Sequence, residues 1–146
     1  MKRSKRLGTV LQIAEQRKHE AEQALGNAQQ RLEQERLKLQ QLQDYLAEYQ
    51  QSQLARGQQG VSIEVLRRMQ LFKDRLQVAI DQQRQQIVVA EFNLQQARHS
   101  WQAAHGRHRA IGALRERVAD QEQRQADKQL QTMIDEMAAA RRHYQR

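Results

Sequence analysis

Two runs of apolar residues, spaced four and three positions apart, constrain this chain more than any other feature. In the first half Leu7, Leu11, Ala14, Ala21, Leu25, Ala28, Leu32, Leu39, Leu42, Leu46 and Tyr49 keep the rhythm, with Lys18 and Glu35 as exceptions. In the second half Met69, Leu76, Ile80, Ile87, Ala90, Leu94, Ala97, Trp101, Ala104, Ile111 and Val118 keep it, interrupted by Lys73, Gln83 and His108. A repeat of about 3.5 residues holds an apolar seam on one side of an α-helix and requires a second helix to cover it. Composition agrees with that reading. Ala, Leu, Gln, Glu, Arg and Lys dominate, Gln fills about a fifth of the positions, and there is no proline. These residues lose little side-chain freedom in a helix. Aromatics are only 4%, so a narrow seam can be filled but a round core cannot.

Between the runs, Ala55 to Ser62 (ARGQQGVS) is the one good break. Gly57 and Gly60 can close a turn, and Ser62 can cap a new helix. Val61 and Leu66 stand at staple spacing around that cap. A short break between long helices predicts an all-α, antiparallel two-helix coiled-coil hairpin forming a single domain over 1–146. Helix one is expected over about 4–54, the turn over about 55–62 and helix two over about 63–140, overhanging from about 112. About fifty residues per arm make a rod of roughly 75 Å. In the preferred register, paired position numbers add to about 115. Ala14 then faces Trp101, Ala21 faces Leu94, Ala28 faces Ile87, Leu25 faces Ala90, Leu11 faces Ala104 and Leu39 faces Leu76. Small against large, layer after layer, fills a two-stranded seam. A register one heptad away, near 122, also fits with a longer loop.

The two flanks of the seam differ. One is uniformly polar, with Glu15, Glu22, Gln29, Arg36, Gln43 and Gln50 opposite Gln70, Gln77, Arg84, Glu91 and Arg98. The other carries Lys38 and Tyr45 opposite Val65, Phe72 and Ala79, with Leu42, Tyr49 and Leu76 behind them. Apolar surface therefore spills from the seam on one side, towards the turn. Either the rings of Tyr45 and Phe72 simply cover the seam, or they form an exposed binding patch. Past a polar stretch from Asp120 to Lys128, Leu130, Met133, Ile134, Met137 and Tyr144 form a second stripe in shifted phase. Nothing remains in the chain to cover it, so it is a frayed end or a docking helix for a partner's groove.

Net charge is +8, which favours an acidic partner. Lys2, Arg3, Lys5 and Arg6 are expected near Arg107, Arg109, Arg115 and Arg117, with Arg141, Arg142 and Arg146 further out. That is a solubilising end or a contact to an acidic surface. Catalysis finds no support. There is no cysteine, His105 and His108 lack a third ligand at suitable spacing, and GQQG reads as a turn, since no strands accompany it. No phosphate-binding loop, nucleophile elbow or zinc motif occurs. No cofactor or metal is expected. The basic N-terminus is followed by too short an apolar stretch for a signal peptide, and no stretch reaches membrane-spanning length. A cytoplasmic protein is expected.

LQDYLAEYQ (Leu42 to Gln50), MQLFKDRLQVAI (Met69 to Ile80) and the tryptophan of ARHSWQAAHGR make the chain resemble the flagellar export proteins called FliJ, over nearly its whole length. The resemblance implies a cytoplasmic component of the flagellar type III export apparatus, peripheral to the inner membrane at the flagellar base. It also implies a shape like the central stalk of rotary ATPases. Such proteins insert into the hexameric ring of the export ATPase, FliI, and promote its assembly. They also contact the export gate, FlhA, and receive export chaperones. The family's gate contact matches Leu42, Tyr45, Tyr49, Phe72, Leu76 and Ala79 here, while Lys38 and Gln83 at its edges depart from the usual residues. The resemblance places the ATPase contact near the paired termini: Lys2, Arg3, Lys5, Arg6, Arg107, Arg109, Leu130, Met133 and Met137. Injectisome stalk proteins share the shape and the task. A basic coiled coil that binds nucleic acid is the alternative from another class, but acids are interspersed along both helices and no stacking aromatics line the cations, so no nucleic acid is expected.

Overall fold

The computed structural model describes residues 2–145, and Arg146 lies outside them. Two helices, α1 (Arg3–Gln58) and α2 (Ile63–Tyr144), pack against each other as a hairpin, α2 being the longer. No strand occurs among the described residues. The heptad pattern accounts for this: every residue of the two apolar runs named above is buried or half-buried.

The turn is tighter than expected. Rather than stopping at Leu54, α1 continues through Ala55–Gln58, because Arg56 and Gln58 are good helix formers and one helical glycine costs only about 1 kcal/mol. The reversal is confined to residues 59–62. Gly60 takes a φ of 77° there, a left-handed conformation that a β-carbon opposes. Ser62 caps α2. Its hydroxyl accepts the Val65 N–H at 3.4 Å, and its carbonyl accepts the Leu66 N–H at 3.1 Å. At the far end α2 runs on past residue 140 to Tyr144.

The chain divides into two compact units. One is Ala21–Trp101. Its core is Leu32, Ala90 and Leu94, against which Leu25, Ala28 and Ile87 pack. Met69, Leu76 and Ile80 are buried along the same stripe. The second unit joins the segment ending at Glu20 to the segment beginning at Gln102. There Ala14 and Val118 are buried, and Leu11 Cδ1 lies 3.8 Å from where a β-carbon on Gly112 would stand. The guanidinium of Arg115 lies over Gly8, within 2.9 Å of the corresponding point.

These contacts correct the preferred register. Leu11 reaches Gly112 rather than Ala104, and Gln83 meets Glu35, where the closer register would have set Ile80. Extending α1 to Gln58 and tightening the turn onto Gly60 moves the pairings towards the C-terminal end of α2. For the same reason the overhang does not begin near 112: Arg115, Val118 and Glu122 still belong to the paired region.

Candidate protein-docking site

In the Ala21–Trp101 unit, α1 and α2 bring three aromatic rings together at one edge of the seam. Phe72 of α2 lies against Tyr49, with centroids 4.7 Å apart, and meets Tyr45 edge-on at 6.0 Å. Edge-to-face geometry of this kind is favoured by the ring quadrupoles. Tyr45 is 51% exposed. Tyr49, Phe72, Leu42 and Ala79 are half-buried. Leu76, one helical turn after Phe72, is in the core. The six residues singled out from the sequence therefore divide into a buried base, a half-buried wall and one open ring.

The flanking positions are engaged within the chain. Glu35 is only 3% exposed, although it carries a charge. Gln83 Nε2 donates to the Glu35 carbonyl at 2.8 Å and also to its Oε2. Arg31 Nε stands 3.0 Å and Lys38 Nζ 3.6 Å from Glu35 Oε1. The bond from Gln83, helped by Lys38 and Arg31, holds this carboxyl below its ordinary value of 4.5, against the opposing effect of burial. On the polar flank Arg36 reaches Glu91 at 3.7 Å, an exposed pair of little energetic weight.

The basic end lies in the other unit. Lys2, Arg3, Lys5 and Arg6 are exposed, and Lys2 and Arg3 border an open groove with Val118, Gln121, Glu122 and Gln125. Arg107 and Arg109 are exposed as well, but they precede Gly112, which already pairs with Leu11, so they do not join the Lys2–Arg6 cluster. Leu130, Met133, Ile134 and Met137 are at least half exposed on α2.

Sequence reading missed a third feature. Leu71, Val78, Val88, Val89 and Phe92 are all exposed, on the face of α2 turned away from the seam. The signal was present: Leu71, Val78 and Phe92 recur at multiples of seven, each two positions after a seam residue.

Among the described residues no helix is long and apolar enough to cross a membrane, and no group of three or more His, Cys, Asp or Glu residues is placed to hold a metal. What the geometry defines is a helical hairpin whose distinctive chemistry is carried on surface side chains. The model of the family described as "Flagellar FliJ protein" matches residues 3–146, and the chain belongs to that family. It is thus a component related to flagellar protein export. No curated protein and no solved structure matches it.

Proposed function

We propose that the chain is a non-catalytic stalk and adaptor of the flagellar type III export apparatus. It inserts into and activates the hexameric ring of the export ATPase, FliI, links that ring to the export gate, FlhA, and receives export chaperones. It works in the cytoplasm, peripheral to the inner membrane at the flagellar base. The observation that supports this reading best is the cluster of Tyr45, Tyr49 and Phe72, carried on both helices at one edge of the seam in a chain of the FliJ family. A partly exposed aromatic group over a buried aliphatic base has the make-up of a binding hot spot. The gate binds there, on Leu42, Tyr45, Tyr49, Phe72 and Ala79, with Leu76 holding the base.

The ATPase ring takes the other unit, where Lys2, Arg3, Lys5 and Arg6 offer positive charge and Leu130, Met133 and Met137 an exposed stripe. Unbranched methionines suit a surface that must fit a partner's groove. An injectisome stalk would have the same shape; the flagellar family match favours the flagellar system.

The test is ATP turnover by purified export ATPase. The full chain should raise it, and a chain ending at Lys128 should not. Equal stimulation by both removes the tail from the mechanism, and no stimulation by the full chain contradicts the stalk reading.

A further inference from the structure

Glu35 and Gln83 each interrupt the apolar run of their own helix, and the fold sets the two exceptions against each other. One amide, Gln83 Nε2, donates to both the carbonyl and the carboxylate of Glu35. Arg31 and Lys38 approach the other carboxylate oxygen from the solvent side. Among the described residues Glu35 is the one polar side chain that is buried.

The apolar layers beside this pair discriminate poorly between alignments. Ala21, Leu25 and Leu32 on α1 would again meet apolar residues after a slip of one heptad in either direction along α2: Ala90 or Ala104, Ile87 or Trp101, and Ile80 or Leu94. The turn permits such a slip as well. Gly57 lies three residues before Gly60, and a left-handed residue there would move the reversal and displace the pairing by about one heptad. That slip also brings Lys73 opposite Leu39, where its long chain can still carry the ammonium to solvent, but the buried polar layer has no such escape. With the pairing slipped, Glu35 would meet Leu76 or Ala90, and Gln83 would meet Ala28 or Leu42. A carboxylate is then buried without its donor, and an amide is stranded against an aliphatic wall, both strongly unfavourable.

We propose that Glu35 and Gln83 are the register lock of the hairpin, the polar layer that selects one heptad alignment from those the seam and the turn allow. The same selection sets Phe72 level with Tyr49 and Tyr45, so the aromatic cluster forms only in the locked alignment. The lock is a property of the hairpin alone and needs no flagellar partner.

The chain contains no cysteine, so two spin labels report the alignment in the full-length protein. Glu33→Cys and Gln86→Cys replace exposed residues on the two helices, and a heptad slip moves these positions past each other by about 10 Å. With the native layer a single label–label distance is expected. Glu35→Leu together with Gln83→Leu should keep helical circular dichroism and give two distance populations. One unchanged population in that variant overturns the lock. A second variant, Glu35→Leu with Ala28→Glu, moves the carboxylate one heptad along α1 and keeps a polar pair available to Gln83. Its distance should shift to the slipped value, and retention of the original distance also overturns the proposal.

Discussion

Glu122 of α2 caps α1: its Oε1 accepts the backbone N–H of Ser4 at 3.1 Å, and its Oε2 accepts the Ser4 hydroxyl. The first turn of α1 holds no acidic residue, while Lys2, Arg3, Lys5 and Arg6 crowd the positive end of its dipole. A carboxylate borrowed from the other helix supplies the missing negative charge.

The Ser4 hydroxyl, then the Ser4 N–H, with Lys2 and the Arg3 N–H in support, holds the Glu122 carboxyl below its ordinary value of 4.5 despite partial burial. A carboxyl whose pKa is depressed by folding stabilises fully above its unfolded value and loses that contribution as pH falls through the lower folded value. The melting temperature should therefore be nearly flat down to about pH 5 and drop below about pH 4.5. Glu122→Gln should lower the melting temperature at neutral pH and make the acid limb shallower. Glu35 contributes with the same sign, so some limb should remain. A variant whose curve runs parallel to the parent's would show that the cap does not titrate.

Glycines give opposite signs at different places. Gly60→Ala must adopt a φ of 77° and should cost about 1–2 kcal/mol. Gly26 and Gly106 are helical, with nothing within 4 Å of the added carbon. Alanine at either should gain about 0.5–1 kcal/mol. Urea unfolding monitored by circular dichroism reads both effects.

Core and outward leucines should separate as cleanly. Leu32 is buried among Ala90, Leu94 and their neighbours, and Leu32→Ala should cost about 2–5 kcal/mol. Leu37, 58% exposed on the same helix, should change stability by less than about 0.5 kcal/mol when replaced by alanine. Comparable losses at both sites would mean that the seam is misplaced.

The seam was legible in the sequence because each run from Leu7 and from Met69 repeats one local rule, which no distant contact has to enforce. The register was harder to read. It depends on where a few residues around Gly57 and Gly60 reverse the chain, and either glycine satisfies local propensity. Glu35 and Gln83 were visible only as separate defects, because a hydrogen bond between residues so far apart in sequence leaves no periodic trace. The cap of Ser4 by Glu122 stayed hidden for the same reason. In the aromatic cluster the residues could be read, but not their roles: Leu76 is buried in the core, and Phe72 lies closer to Tyr49 than to Tyr45.

That cluster is where the account is most exposed. The decisive measurement is the affinity of the purified cytoplasmic part of the export gate for the full chain and for the double variant Tyr45→Ala, Phe72→Ala, with circular dichroism recorded on both. We expect binding at least tenfold weaker in the variant, with helicity retained. Unchanged affinity, or a collapse of helicity showing that the rings belong to the core, would contradict the docking role assigned to them.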